Sequence, residues 1–157
     1  MPTDSSRILM TMRPLRFLSP VTAEGCFIRQ AGGMHRFGRV VLRIEPSEEP
    51  GMAYAWEVSE AQIPSMYRQA TLEGIERWFS HGSALDGYEL QQTMVRVVDG
   101  AHHETDSNDL SYTFAAAEAF ALAVNAAELI DRPLAFNKAE LRSHSGQKRT
   151  FNSTSQS

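Results

Sequence analysis

Arg29-Gln30-Ala31-Gly32-Gly33-Met34-His35-Arg36-Phe37-Gly38-Arg39-Val40-Val41-Leu42-Arg43-Ile44-Glu45 joins a glycine-bearing link to a run of strict alternation. Side chains on a strand point to opposite faces in turn, so Val40, Leu42 and Ile44 share one face while Arg39, Arg43 and Glu45 share the other. The pattern predicts a half-buried strand. Short runs of similar character lie on either side, at Cys26 to Gln30 and at Tyr54 to Val58, where Tyr54, Trp56 and Val58 fall on one face. Gly32, Gly33 and Gly38 give the link from Ala31 to Gly38 backbone angles closed to other residues, which predicts the exposed end of a hairpin.

Downstream the period changes. Ile63-Pro64 introduces a helix, because proline fits a first turn and cannot extend a strand ladder. Tyr67, Ala70, Thr71, Gly74, Ile75, Trp78 and Phe79 recur at helical spacing and predict one buried stripe, with Arg68, Gln69, Glu73, Glu76 and Arg77 in water. Gly74 within that stripe predicts close backbone approach to a sheet, and Gly82 a left-handed helix end. A fourth strand is expected over Leu90 to Val98, ending at Asp99-Gly100. After the loop His102 to Asn108, Asp106 or Ser107 is expected to cap an alanine-rich helix from Asp109 to Leu129 whose inner face is Leu110, Phe114, Ala117, Ala121 and Val124. Trp56, Trp78 and Phe79 are read as core and Cys26 as a small buried hydrophobe. The order βββαβα predicts an α+β two-layer sandwich, a four-stranded sheet with two helices on one face.

The 157 residues suit one domain, and 42% hydrophobic with 22% charged residues excludes a disordered or collagen-like chain. No apolar run approaches a membrane span. Residues 1–20, with Pro2, Pro14 and Pro20, are expected to form a flexible leader, residues 21–136 the folded domain, and residues 137–157, rich in Ser and Thr, a disordered tail. Asp4 and the later prolines argue against a mitochondrial presequence. A single cysteine closes no internal disulfide and fits a reducing compartment, so a cytoplasmic location is expected.

Charge is unevenly spread. Up to Ile44 there are seven arginines against Asp4 and Glu24, a balance of +5; the remainder holds eight basic and seventeen acidic residues, a balance of −9. No acidic residue interrupts Gly25 through Ile44. Such a split predicts a cationic end that meets a polyanion, against the plainer reading of a solvated face. Arg29, Arg36 and Arg39, beside Arg43 and His35, present forked donors suited to phosphate oxygens.

Other chemistries lack their residues. No Gly-x-x-x-x-Gly-Lys-Ser/Thr loop is present, so GTP or ATP hydrolysis is not expected, and no cofactor is implied. His102-His103-Glu104 with Asp106 and Asp109 has the composition of a metal cluster, but neighbours in an extended segment diverge and no HExxH or cysteine pair supports it, so no metal site is assigned. Ser107, His103 and Asp106 have the residue types of a hydrolase triad without any signal for an oxyanion hole, so no catalytic residue and no enzyme are expected. If the first and fourth strands lie side by side, the loop carrying His103 and the glycine hairpin share one pole.

Ala23-Glu24-Gly25, Arg29-Gln30-Ala31-Gly32-Gly33, Phe37-Gly38 and Ile44-Glu45-Pro46 follow one another at the spacing of domain IV of translation elongation factor G, and the chain resembles that family. Ile63-Pro64, Glu73-Gly74-Ile75, Gly82, Gly87-Tyr88, Val98-Asp99-Gly100, His103-Glu104, Asp106-Ser107 and Pro133 continue the likeness, which covers roughly Ala23 to Phe136. The resemblance implies a ribosomal-protein-like split β-α-β fold. It also implies a role beside the small ribosomal subunit, where this domain supports movement of transfer RNA with messenger RNA. By that similarity the tip comprises Gly32 to Arg36 and the loop around His103, which occupies the position of the family's tip histidine. Departures are His35 in place of a further glycine, Glu60-Ala61 in place of a glycine pair, and Leu134-Ala135-Phe136 in place of the passage toward a following domain. None of these residues supplies the factor's GTPase domain, so the chain is expected to be a fragment or a freestanding relative.

Together these readings predict a non-enzymatic module that binds the small ribosomal subunit or structured RNA, with no GTP, membrane or cofactor, through Arg29, Gly32, Gly33, His35, Arg36, Arg39 and His103. The alternative is a protein-interaction module that kept the fold and lost RNA contact. Oligomeric state is not legible.

Overall fold

The computed structural model describes residues 12–127 and 129–130. Seven strands and two α-helices follow in the order β1 (Arg13–Phe17), β2 (Val21–Ala31), β3 (Met34–Pro46), β4 (Met52–Trp56), α1 (Arg68–Glu76), β5 (Tyr88–Leu90), β6 (Thr93–Ala101), α2 (Asp109–Ala126) and β7 (Leu129–Ile130). The larger sheet has the order β2-β3-β6-β4, with β3 antiparallel to both neighbours and β4 parallel to β6. The α+β two-layer order βββαβα is thus built from β2, β3, β4, α1, β6 and α2. Its β-α-β unit is β4-α1-β6, whose parallel strands are directly hydrogen-bonded.

The alternation read from the sequence sets the inner face: Val40, Leu42, Ile44, Val95 and Val97 are fully buried. On the opposite face Arg43 and Arg96 both reach Glu45 at 2.9 Å, and Arg96 also pairs with Glu57. The Arg96 and Arg43 guanidinium groups hold the Glu45 carboxyl below the usual carboxylate range.

Helix α2 lies over β2 and β3, and α1 packs beside it. Close approach decides this geometry. A Cβ at Gly25 would stand 1.8 Å from the Ala115 carbonyl oxygen, so only glycine lets the helix backbone settle on β2. Gly74 plays the same part between helices rather than against a sheet as expected, since its added Cβ would meet the Thr113 oxygen at 2.2 Å. Across this helix pair Trp78 Nε1 donates to the Ala117 carbonyl at 2.8 Å, and Thr113 Oγ1 donates to that of Ala70 at 3.0 Å. The α1 stripe is buried at Ala70, Thr71, Gly74, Ile75 and Trp78, while Tyr67 and Phe79 are partly buried.

Several expectations are corrected. Residues 13–17 are a strand, not part of a flexible leader: Leu15 and Phe17 are buried, and β1 pairs in parallel with β5 and antiparallel with β7. Two alternating apolar residues between prolines are too short a signal to read as a strand. The fourth strand predicted, β6, lies beside β3 and not beside β2. The cap of α2 is Asn108, whose Oδ1 accepts from the Ser111 amide at 3.0 Å, rather than Asp106 or Ser107. Its apolar face is also rotated: Ala117, Ala121 and Val124 are buried as expected, but Leu110 is 56% and Phe114 38% exposed, and Tyr112, Ala115, Ala119 and Phe120 take the inner positions. The helix ends at Ala126. Gly82 lies beyond the 3₁₀ turn that closes α1, at φ +85°, and donates its amide to Asp86. Trp56 and Cys26 are only partly buried. Residues 1–11 and the predicted tail fall outside the described residues.

Candidate nucleic-acid interface

The link expected from Ala31 to Gly38 is shorter than its glycines imply. Strands β2 and β3 stay paired up to Ala31↔Met34, leaving Gly32 and Gly33 as a two-residue turn with φ of +54° and +82°. Positive φ at both central positions is the geometry that matches the twist of a hairpin, and it favours glycine there. Gly38 is buried instead, under Ser111 of α2, whose carbonyl oxygen would be 2.9 Å from an added Cβ.

Pairing between β3 and β6 stops at Arg39↔Ala101, so the β2-β3 hairpin runs on beyond the sheet. The loop after β6 folds back onto its flank. Phe37 N donates to the Asp106 carbonyl at 3.0 Å, and Ser107 Oγ donates to the Phe37 carbonyl at 2.9 Å. The turn and the His103 loop therefore share one end of the molecule, through β3 rather than through the first strand. Past this contact stand the pairs Arg29↔Arg36, Gln30↔His35 and Ala31↔Met34, a projection of about 10 Å at the usual strand rise.

The arginines divide into two groups. Arg39, expected to contact phosphate, is held within the molecule: Nε reaches Glu24 at 2.7 Å and Nη2 reaches Asp99 at 3.4 Å. Its pKa is raised, first by the hydrogen bond to Glu24. Asp99 is held below the usual carboxylate range, first by the Gly100 amide, then by Gln62, with Arg39 adding to it. Arg29 and Arg36 have no such partner. They face each other directly across the ladder, and among the described residues no carboxylate pairs with either. Arg36 Nη1 donates only to the neighbouring His35 carbonyl, at 3.1 Å. Like charges set opposite on adjacent strands repel.

His103 is exposed, with Nδ1 3.4 Å from the Asp106 carboxylate and 3.3 Å from Thr105 Oγ1. Its backbone amide donates to Ser107 Oγ at 2.9 Å. Ser107 Oγ thus shapes the loop, accepting from the His103 amide and donating to the Phe37 carbonyl. Tyr67 donates to its carbonyl at 3.1 Å, and the buried Tyr112 hydroxyl, 3.3 Å from Ser107 Oγ, donates to the Ala101 carbonyl at 2.8 Å. Burial pushes Tyr112 up to about 12, which keeps it a donor. Sequence reasoning missed this bracing because Tyr67 and Phe37 lie 40 and 70 residues from Ser107, and the members share no period. His102 turns away, its Nδ1 3.3 Å from the Gln62 carbonyl. Among the described residues no three His, Cys, Asp or Glu side chains converge on a possible metal position, and no helix is long and apolar enough to cross a membrane.

The family model described as elongation factor G, domain IV, matches residues 15–128. A protein of Thermus thermophilus whose crystal structure has been solved is similar at 31% identity with a TM-score of 0.59; the match covers 68% of this chain and 16% of that one. The chain therefore spans a small part of that neighbour's length.

Proposed function

The chain belongs to the elongation factor G domain IV family, and from that premise we propose that it is a non-enzymatic module that engages ribosomal or other structured RNA through the end of the β2-β3 hairpin. The observation that carries this reading is the Arg29↔Arg36 pair. Each ion pair named above satisfies its arginine with a carboxylate, whereas Arg29 and Arg36 stand opposite one another in register on the projecting hairpin with no carboxylate partner among the described residues. A phosphate oxygen between them would convert a repulsion into two charge-assisted hydrogen bonds. Gly32 and Gly33 keep the turn free of side chains so that a backbone can approach, and exposed His35 and His103 add donors or stacking surface on either side. Arg39 and its carboxylates hold β2, β3 and β6 together beneath the contact. The acidic remainder of the chain would limit indiscriminate binding to polyanions.

Co-sedimentation with ribosomes across a salt series tests the reading. Association should weaken with salt, and changing Arg29 and Arg36 to Glu together should abolish it at moderate salt, whereas Arg43→Glu should leave it nearly intact. Single changes to Ala should lower the salt slope by about 1 per lost phosphate contact. If the native chain fails to associate with ribosomes or RNA at low salt, the reading is wrong, and the protein-interaction alternative takes its place.

A further inference from the structure

Beside the arginine pair, the hairpin and the first two turns of α2 enclose an open groove of about 290 Å³, walled by Phe27, Leu110 and Phe114 and rimmed by Arg29, Arg36 and Asn108. Leu110 and Phe114 occupy helix positions whose spacing suits a core, yet they stand exposed here. Phe114 is fixed from two sides: its ring lies 5.0 Å from that of Phe27 at 43°, and the Arg77 guanidinium sits 5.6 Å above it. Asn108 uses its oxygen to cap α2, accepting from Ser111 N and Oγ at 3.0 and 2.7 Å, so its amide NH₂ is directed elsewhere than the cap. The groove thus combines a rigid apolar wall, two unpaired cations at its mouth, one amide, and no carboxylate among its lining residues.

We infer that this groove receives one unpaired nucleobase of the RNA, flipped out of its stack, while Arg29 and Arg36 hold the flanking phosphates. The inference rests on the RNA-binding reading above and narrows it from the backbone of a folded RNA to a single-stranded or bulged element. Charge complementarity selects this occupant: a buried apolar peptide side chain would use the same wall but gains nothing from two guanidinium groups at the rim, whereas every nucleotide carries a flat apolar face and an anion together. The size is at the lower edge of small-ligand sites, about 300 Å³, which suits one flat ring system better than a helix or an extended chain.

The test measures binding of fluorescently labelled ten-nucleotide RNA to the full chain, comparing a base-bearing single strand, the same strand with a central abasic ribose, and a fully paired duplex of equal length. The native protein should prefer the intact strand over the abasic one by roughly 5- to 150-fold, the range of one base-aromatic stack. Leu110→Ser and, separately, Phe114→Ala should erase that preference. Leu110 is more than half exposed, so its replacement leaves the core intact, and an unchanged thermal midpoint confirms this. Both variants should keep the salt slope set by the arginines. Equal affinity for intact and abasic strands, or a preference that survives both substitutions, overturns the groove and leaves the arginine reading standing. Concentration-dependent dimerisation that Leu110→Ser abolishes also overturns it, by assigning the wall to a second copy. Failure to bind any of the three RNAs, with ribosome association also absent, removes both.

Discussion

Gly25 and Gly33 are chemically the same residue put to opposite uses, and substitution separates them. At Gly25 a methyl group collides with the backbone of α2, which cannot yield without moving the whole helix. Gly25→Ala should therefore cost about 3 kcal/mol or more, at or above the top of the usual overpacking range, in urea unfolding. At Gly33 an added Cβ meets nothing within 4 Å, and only the left-handed φ of +82° opposes it. Gly33→Ala should cost about 1 to 2 kcal/mol. A larger penalty at Gly33 than at Gly25 would show that the helix does not seat on β2 in this way. Both glycines are visible in the sequence, but only the hairpin use was legible, because a turn is local and the helix above Gly25 lies far downstream. The fate of the arginines was opaque for the same reason. Arg39 meets Asp99 across β3 and β6, a distance in sequence that no spacing rule covers, whereas the Arg29 and Arg36 charges belong to one hairpin.

At the level of elements, the strand pattern over Arg39 to Glu45 and the α1 stripe were readable because each element buries one face. Helix α2 defeated that reading. It lies between a sheet and a second helix, is buried through most of its circumference, and so offers no contrast from which to find an inward face. The β3-β6 junction adds a pH dependence. Its register shifts between Val41 and Leu42, and Asp99 beside that shift is tied by its carboxylate to Gly100, Gln62 and Arg39. A carboxyl held below its unfolded value contributes stability that is complete above the ordinary carboxylate range and is lost as pH falls through the lowered folded value. Asp99 and Glu45 both follow this sign. Unfolding free energy should thus be flat from about pH 7 to 5 with respect to these groups and fall below about pH 4. Asp99→Asn should make that acid loss shallower. A slope identical to the native one would remove Asp99 from the account.

For the whole molecule, the strand least visible in the sequence has a large share in the fold. β1 lies between β5 and β7, so a segment before the first predicted strand fastens segments from the second half of the chain. Leu15 and Phe17 are buried at 0% and 2% exposure, and the Phe17 ring lies 6.4 Å from that of Phe120 in α2. Replacing either by Ala should cost about 2 to 5 kcal/mol, as for other large-to-small core changes, seen as a lowered urea midpoint. Polypeptide shortened to begin at residue 21 should unfold at lower urea still; equal stability would mean that β1 is dispensable. The family match begins at residue 15, inside this strand.

Because β1 and β7 are neighbours, the first and last described strands are fastened side by side, near the end of β2 opposite its turn. Eleven residues of β2 separate that clasp from Gly32, about 36 Å at the usual rise. A surface tether joined to either strand would therefore leave the arginine-bearing apex at the far end of the hairpin, directed away from the surface.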